Sequence, residues 1–531
     1  MNFFLIFSSV LVNCIGYEIT YTDYDSIKEL IHKPDEVGLY NEITNNPDFS
    51  CSFSFEVNEG DEDTKEIKII KLNNVDPETG ENMFPAIFCE INYIKRLILN
   101  DLTLSRLPNQ FEKFKELSFL NLNNNEFKEF PQVLFSLSKL KTLHLDFNKF
   151  VKIPSEIIQM NSLEILSIGY CSHLISINSN LFKLKNLNEL DLSRNPLLFK
   201  NNNFIAYSIY SDDKASTKNE NNDPTKFVSY KSLKKLHISS NGLSTFPRIF
   251  YNFINLEELV VSRNLFKNIP RKLIFFINLK ILDISFNHIK KLTIKQNMLS
   301  NLLKLYLNHN KITKLLIPDN TLKSLETLVL SCNRFSKLDK NIFRLKQLKS
   351  LSVFGIVFTE ITKFPRERDD PISLKLTLKD ISVLPNIFSY NCINELTVKC
   401  KDQIDKEINI FEHVPINSKI KYLDLSKCFL TSIPHSISKL INLETFEAEF
   451  NQIITLENVF IGMTLKFLNL SFNQIISIDR SIFDIYTLER LDLSFNNIEL
   501  IPSNINNTRN RNLQIDLHEN PLRSGIDVDL Q

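Results

Sequence analysis

Apolar and polar positions alternate along this chain in a phrase that returns about every 23 residues. The phrase reads Leu-x-x-Leu-x-Leu-x-x-Asn, with the second Leu as its anchor, and complete copies occupy residues 117–125, 140–148 and 187–195. Further copies pair an anchor with an Asn five positions later: Leu236 with Asn241, Leu259 with Asn264, Leu282 with Asn287, Leu305 with Asn310, Leu328 with Asn333, Phe446 with Asn451, Leu468 with Asn473 and Leu491 with Asn496. Because side chains alternate between the two faces of a strand, each copy predicts a short strand with one apolar and one polar face.

The recurring Asn is the polar exception in an otherwise apolar column. Burying an amide without partners costs about 1–3 kcal/mol, so we predict that each Asn bonds the backbone where its coil turns. Cys171 and Cys428 occupy the same position in two copies of the phrase. A thiol can also donate a weak hydrogen bond, so it is able to take over part of this task.

Proline marks the other side of each coil. It follows an apolar residue in the pairs Ile153-Pro154, Phe246-Pro247, Ile269-Pro270, Ile433-Pro434 and Ile501-Pro502. Proline cannot donate to a strand ladder, so this side is predicted to be irregular or short-helical rather than a second sheet.

Together these patterns resemble the leucine-rich-repeat superfamily, over roughly residues 67–521. The resemblance implies an α/β repeat fold: a solenoid shaped as a curved horseshoe, with a parallel inner sheet and an irregular, 3-10 or short-helical convex side. A repeat array adds core one unit at a time, so we expect one elongated domain. The family is also known to accept Cys in place of the Asn, as at Cys171 and Cys428.

The first sixteen residues differ from the rest. An apolar stretch at 3–12 is followed by Cys14-Ile15-Gly16, which places small residues where signal peptidase would cut. We therefore predict a signal peptide at 1–16. A buried N-terminal strand is the alternative, because no Lys or Arg precedes the apolar run.

The remaining chain is predicted to hold a cap, the solenoid and a tail. Residues 17–66 lack the phrase and are expected to cap the first unit, with a helix that begins at Thr22 or Asp23 and ends at His32. The solenoid covers 67–522 and starts with a degenerate unit, Ile67-x-x-Ile70-x-Leu72, and residues 523–531 form the C-terminal tail.

Two irregularities interrupt the solenoid. The spacing between the anchors Leu190 and Leu236 doubles, and the insertion near 200–230 includes a polar stretch at 211–225 that is expected to be a mobile loop. It either contacts a partner or is a tolerated insertion. Near 354–415 the anchors are predicted at Leu376, Leu396 and then Leu423, and this uneven spacing indicates either a hinge or simple repeat drift.

Cysteine usage leaves one pairing open. The chain has 8 Cys, and removal of the signal peptide would leave an odd number, which argues against a fully paired disulfide framework. Secreted relatives often carry a disulfide-bonded cap, and this resemblance implies a possible pair of Cys51 with Cys89. Two buried free thiols are the alternative.

The zero net charge hides two opposed regions. Residues 17–93 hold 18 acidic and 5 basic residues, whereas residues 226–315 hold 16 basic and 3 acidic residues. The basic set indicates either a solvated face or an acidic or anionic partner. Nucleic acid is not expected, because the aromatic side chains needed for stacking on bases are used in the core.

Contact residues are expected on the inner face, beside the buried anchors. The predicted ligand-binding set is His237, Glu258, Arg263, Asp283, Lys304, Tyr306 and His309. Aromatic and Arg side chains dominate protein hot spots, so Tyr306, Arg263 and His309 are the strongest candidates.

Chemistry is not expected, because the sequence has no Gly-rich phosphate loop, Cys-x-x-Cys pair or His-Glu-x-x-His motif. We predict no enzyme activity, no cofactor and no metal, and a monomer without a transmembrane segment. The function indicated is binding of a protein partner, of unknown identity, by a secreted solenoid through its concave face. A cytoplasmic leucine-rich-repeat scaffold or regulatory subunit that acts on a signalling protein is the alternative, favoured by the lack of a C-terminal Cys cap.

Overall fold

The structure, a computed structural model, describes residues 94–200, 231–294, 299–318, 321–335, 345–358, 370–378, 392–403, 418–456, 458–502 and 513–523, strand backbone at 17–20, 52–59 and 65–73, short stretches at 82–84, 387–388 and 410–411, and single residues 80, 89, 342, 344 and 414. It divides into two compact units, Met1–Leu265 and Phe266–Gln531. The predicted signal peptide, the predicted helix that ends at His32 and the insertion at 201–230 lie outside the described residues.

The first unit is built on short parallel strands. Its strands are β1 (Tyr17–Thr20), β2 (Ser52–Glu59), β3 (Lys65–Asn73), β4 (Asn82–Met83), β5 (Arg96–Ile98), β6 (Leu104–Arg106), β7 (Phe119–Asn121), β8 (Thr142–His144), β9 (Lys152–Ile153), β10 (Ile165–Ser167), β11 (Ser176–Ile177), β12 (Glu189–Asp191), β13 (Lys235–His237) and β14 (Glu258–Val260). From β5 onward the anchors pair in one column, Leu97, Leu120, Leu143, Leu166, Leu190, Leu236 and Leu259.

Each of these anchors is buried, and in β7 and β8 both of its neighbours on the strand stay partly exposed. Fully burying a Leu side chain contributes about 1.5–3 kcal/mol relative to leaving it exposed. The column of anchors therefore forms a continuous apolar core. A single coil could not bury its own anchor in this way. Leu190 pairs directly with Leu236, so the insertion between them leaves the sheet register intact.

The N-terminal edge of this sheet is antiparallel. β1 pairs with β2 and β2 with β3 in antiparallel orientation, and β3 then joins β5 in parallel. Ile67 pairs with Leu97, so Ile67 takes the anchor place that the sequence assigned to Ile70. The degenerate first unit exists, but its register differs from the predicted one by three residues.

Short 3-10 helices form the opposite side of the coils, as the proline pairs predict. The helices are Asn109–Lys113, Gln132–Ser136, Ser155–Gln159, Ser179–Lys183 and Arg248–Asn252 in the first unit and Arg271–Phe275, His435–Lys439 and Arg480–Asp484 in the second, and one α-helix spans Pro196–Lys200. Pro154, Pro247, Pro270 and Pro434 each directly precede a helix. The fixed φ of proline suits a helix start, where its missing N–H would have no partner.

The second unit repeats the same architecture. Its strands are β15 (Ile281–Asp283), β16 (Lys291–Thr293), β17 (Lys304–Tyr306), β18 (Lys314–Leu316), β19 (Thr327–Val329), β20 (Ser350–Phe358), β21 (Ile372–Leu378), β22 (Ile393–Cys400), β23 (Tyr422–Asp424), β24 (Thr445–Glu447), β25 (Phe467–Asn469), β26 (Arg490–Asp492) and β27 (Gln514–Asp516). The anchors again pair in one column, from Leu282 and Leu305 to Leu491 and Ile515.

The irregular region keeps its register through longer strands. Leu351 pairs with Leu374 and Leu374 with Leu396, so the anchor is Leu374 and the predicted anchor Leu376 is wrong. Ile356 occupies the Asn place of its coil. Without an amide to bond the backbone there, β20 continues as a strand of 9 residues instead of turning after three.

The recurring Asn bonds the backbone of two successive coils, as predicted. Asn264 donates through Nδ2 to the carbonyls of Ile238 and Val261, each at 3.0 Å. Its Oδ1 accepts from the backbone N–H groups of Asn241 and Leu243, again at 3.0 Å. The side chain is only 3% exposed, so these bonds satisfy a buried amide.

The two cysteines in this position act in the same way. Cys171 donates through Sγ to the carbonyls of Leu145 and Gly169 at 3.5 Å, and Cys428 donates to the carbonyl of Val398 at 3.5 Å. Burial raises the pKa of the Cys171 thiol to about 12, so the sulfur keeps the proton that it donates. The prediction that Cys replaces Asn is confirmed.

Replacing Asn473 by Ala should lower the free energy of unfolding by about 2–4 kcal/mol, because buried backbone groups lose their partners. The amide donates to Ala448 and Leu470 and accepts from Ile453. Asn473→Cys should lose less, since a thiol donor remains. Urea unfolding measures both.

Asn301→Ala is the control, because it removes one exposed amide bond to the Ile277 carbonyl. It should change the free energy of unfolding by less than about 1 kcal/mol. Equal losses for Asn473→Ala and Asn301→Ala would contradict a structural role for the buried amide.

Candidate functional site

The strands of each unit present a row of side chains that flank the buried anchors. We call this row the strand face. A second row lies at the turn, directly before each buried Asn or the residue that replaces it, and we call it the turn column. In the first unit it comprises Asp101, Asn124, Phe147, Tyr170, Arg194, Ser240 and Arg263, and in the second Phe286, His309, Cys332, Gly355, Lys427, Phe450, Phe472, Phe495 and Glu519. Every one of these residues has a positive φ.

In the first unit the structure brings two of the three predicted contact residues together. His237 Nε2 lies 3.1 Å from Glu258 Oε1. On its other side, His237 Nδ1 lies 3.9 Å from Asp191 Oδ2. Arg263 lies beyond the strand, exposed in the turn column. The cluster on the strand face is therefore Asp191, His237 and Glu258, and Asp191 was missed by the sequence prediction.

In the second unit, the four predicted residues lie on two successive coils. Asp283 and Tyr306 are directly paired in the sheet register, and Lys304 is exposed at the start of the same strand as Tyr306. His309 belongs to the turn column and stacks on Phe286, with ring centroids 4.1 Å apart. Tyr306 and His309, the pair favoured by the sequence, thus lie within one coil.

Asp283 also has a structural task. Its Oδ1 accepts the backbone N–H of Ser285 at 2.9 Å, which fixes the turn after the strand. Asp191 and Ser193 make the same contact at 2.7 Å, and so do Asp492 and Ser494 at 3.1 Å. The recurring Asp-x-Ser therefore marks a local turn as well as a charged surface.

Stacked rings in the turn column were not predicted. Phe147 stacks on Tyr170 with centroids 3.9 Å apart, and Arg194 lies over the Tyr170 ring at 4.5 Å. In the second unit Phe450, Phe472 and Phe495 stack at 4.2 Å each. These rings remain 38–48% exposed. The recurring Phe-Asn dipeptide is the sequence signal that could have revealed them.

Stacking of the aromatic rings offsets part of the free-energy cost of the positive φ in the turn column. A left-handed conformation costs a non-glycine residue about 1–2 kcal/mol, and an aromatic pair contributes about 0.5–1.5 kcal/mol beyond its buried area. The same backbone geometry directs the N–H of Phe472 to the carbonyl of Ser494 in the next coil, at 3.0 Å. The turn column is thus both a surface and a set of links between coils.

A half-buried carboxyl group lies on the strand face of the first unit. Asp146 Oδ1 accepts from Ser167 Oγ at 2.6 Å and from the N–H of Gly169 at 2.5 Å. A Cβ at Gly169 would lie 3.1 Å from that oxygen, so glycine permits the close approach. Burial raises the pKa of Asp146 above its ordinary value of 3.8, although both hydrogen bonds act in the opposite direction.

The strand face of the second unit carries an acidic group. Tyr422 donates its hydroxyl to Glu447 Oε2 at 3.0 Å, and Lys399 Nζ lies 3.2 Å from Asp424 Oδ2. Burial, together with Asp424 and Glu449 nearby, raises the pKa of Glu447. Burial first and the Glu447 charge second raise the pKa of Tyr422.

Part of the predicted basic set is paired locally. Lys235 Nζ lies 3.0 Å from Glu189, and Lys234 Nζ lies 3.6 Å from Glu257. These pairs are exposed and each contributes at most about 1 kcal/mol. They reduce the charge that this segment offers to a partner.

Neither a membrane-spanning helix nor a metal-binding group occurs in the part of the chain that the structure describes. No helix there is long and apolar enough to cross a bilayer. No group of three or more His, Cys, Asp or Glu side chains there could hold a metal ion. The proposed partner of Cys89, Cys51, lies outside the described residues, so that disulfide stays a prediction; Cys89 itself is buried.

Comparisons with known proteins agree on the fold. A family model described as a leucine-rich repeat region matches residues 67–291, and one described as a leucine-rich repeat matches 419–440 and 487–508. Neither describes a catalytic family. No curated protein sequence matches the chain.

Three solved structures illustrate what the chain is similar to. A leucine-rich-repeat protein of Leptospira interrogans is 23% identical over 84% of this chain and 95% of that chain, with a TM-score of 0.49. A chain of the Drosophila Toll–Spatzle complex is 16% identical over 90% of this chain and 65% of that chain, with a TM-score of 0.54. An internalin of Listeria monocytogenes is 18% identical over 64% and 88%, with a TM-score of 0.38. The likeness to the chain of the Toll–Spatzle complex shows the fold.

Asp146→Asn should keep the oxygen that accepts from Ser167 and Gly169 while it removes the buried charge. A raised acid pKa means that the wild type loses stability as pH rises from 3.8 to the raised value, because the unfolded chain ionises first. The variant should therefore gain stability relative to the wild type as pH increases over this range. Urea unfolding from pH 3 to pH 7 measures the difference. A variant that becomes relatively weaker towards pH 7 would show that the ionised carboxylate is favoured in the fold.

Proposed function

Because this chain is a leucine-rich-repeat protein, we propose that it is a secreted, non-enzymatic protein that binds a protein partner through its strand face and the adjoining turn column. The partner's surface is acidic or anionic, and the protein acts as a monomer. It needs no cofactor, and it does not bind nucleic acid. The contact set is the predicted one: His237, Glu258 and Arg263 in the first unit and Asp283, Lys304, Tyr306 and His309 in the second.

One observation carries this proposal. Side chains about 23 positions apart become direct neighbours on the strand face, as with Asp283 and Tyr306. They stand on strands whose anchors are fully buried, so little conformational entropy remains to be lost on binding. Half-exposed aromatic and charged groups on a rigid surface are the usual composition of protein hot spots.

Charge and fold give further support. Arg263 and Lys304 are exposed and cationic, which favours an acidic partner surface. A chain of similar fold was solved in the Drosophila Toll–Spatzle complex. An extracellular location would also agree with the predicted signal peptide at residues 1–16.

The N-terminal residue of the mature protein tests secretion. We expect a start near Tyr17 in protein isolated from its native source, measured by terminal-peptide mass analysis. A retained Met1 would contradict secretion and favour the cytoplasmic scaffold.

A photo-crosslinking residue at Tyr306 tests the face that binds. We expect it to capture a discrete protein partner, identified by mass spectrometry. The matched control places the same residue at Phe275, which is 57% exposed on a 3-10 helix of the same unit. Equal capture at both positions would contradict binding by the strand face.

The captured partner then allows a test by substitution. Tyr306→Ala combined with Arg263→Asn and His309→Asn should weaken its affinity at least about tenfold. Asn is chosen for the two turn positions because it tolerates the positive φ found there. Unchanged affinity would remove these residues from the contact set.

A further inference from the structure

A polar depression lies at the turns of three successive coils in the first unit. It has a volume of about 510 Å³ and is lined by Asn100, Asp101, Asn121, Asn123, Asn124 and Phe147. This volume is within the range of small-ligand sites, which is about 300–1,000 Å³. None of the contact residues in the proposed protein-binding set lines it.

Two amides of the depression are held in fixed orientation. Asn121 Oδ1 accepts the backbone N–H of Asn123 at 2.9 Å. Asn123 Oδ1 accepts the backbone N–H of Asp146 at 2.7 Å. Each oxygen is thereby engaged, and neither Nδ2 group has a protein acceptor among the residues described in this unit. The lining therefore offers two preoriented amide donors to a ligand.

The first and second coils of the depression also supply acceptors. Asp101 accepts from Nδ2 of Asn100 through one oxygen and from Nδ2 of Asn124 through the other. The carboxylate is thus already bonded to two donors, while the amide oxygens of Asn100 and Asn124 remain as acceptors. The lining carries one formal charge and a majority of neutral amides.

An aromatic ring completes the wall. Phe147 is 48% exposed, and its stack with Tyr170 fixes the ring plane. The ring thus offers an apolar patch next to the amides.

Neutral amides beside an exposed ring match the chemistry of a sugar. A sugar hydroxyl both donates and accepts, so it can bond an amide in either direction. The C–H face of a pyranose is apolar and slightly positive, which suits contact with an aromatic ring. The carboxylate of Asp101 disfavours an acidic ligand by like-charge repulsion.

We propose that this depression is a carbohydrate subsite for a neutral hexose or N-acetylhexosamine residue. The ligand is either a free sugar or the end of a glycan chain, and both present the same hydroxyls. The subsite belongs to the first unit alone and is separate from the protein-binding proposal. Either can fail while the other holds.

The full-length protein is to be tested on an array of neutral oligosaccharides and a matched array whose sugars carry carboxylate or sulfate groups. We expect binding to the neutral set. Saturation-transfer NMR with free monosaccharides then separates the two sources: a signal from monosaccharides alone indicates a free-sugar site, and binding only to oligosaccharides indicates a glycan end.

Two substitutions test the site without disturbing the backbone bonds of Asn121 and Asn123. Asn124→Gly removes one amide, and glycine accepts the positive φ without strain. Phe147→Asn removes the ring at another positive-φ position. Each should weaken sugar binding about tenfold.

The controls make comparable changes at turn-column positions outside the depression. Ser240→Gly lies in the turn column of the first unit outside the depression, and Phe495→Asn lies in the turn column of the second unit. Both should leave sugar binding unchanged. The proposal is overturned if no neutral sugar binds at millimolar concentration, if only acidic sugars bind, or if the site variants and the controls bind equally.

Discussion

Each regular coil turns at a buried asparagine whose amide bonds backbone groups in two successive coils. Apolar burial draws the anchors together, but it is not directional and does not fix where the chain turns. The hydrogen bonds of the Asn264 side chain do fix it, because its donors and acceptor reach the turn of its own coil and the turn of the coil before. Where Ile356 takes this place, the strand runs on. The length of each strand and the position of the exposed side chains both depend on this one amide.

The turns fixed by these amides also explain how residues that are far apart in the sequence form one surface. Once the coils share one register, His237 meets Glu258 and Asp283 meets Tyr306, although each pair is more than twenty residues apart in the sequence. The depression beside Phe147 has the same origin, because three turns place their residues in one column. The proposed protein-binding face and the proposed sugar subsite would therefore both depend on the same repeat geometry.

The sequence predicts the regular part of this fold well, because an anchor and an Asn in fixed spacing leave only one register. It fails where the pattern is ambiguous: Leu374 and Leu376 lie two residues apart on the same face of a strand, and both are apolar. Ile67 and Ile70 are ambiguous because both are apolar and this unit has Val75 where an Asn would set the register. The site is less predictable. Aromatic residues are assigned to the core by their hydrophobicity, yet Phe147 is exposed because its backbone conformation directs it outward. The hydrogen bond from the Ser285 N–H to Asp283 depends on local backbone geometry, which the pattern of apolar residues does not predict.

The positive φ of the turn column constrains how these positions can evolve. None of the described turn-column residues is Val, Ile or Thr, because a side chain branched at Cβ fits a left-handed backbone poorly. A change from Phe to Ile keeps the hydrophobicity and needs a single nucleotide, so a scale based on exposure and chemical similarity would score it as harmless. At Phe147 or Phe472 that score would be misleading. Solvent exposure there coexists with a steric constraint on the shape of the side chain next to the backbone.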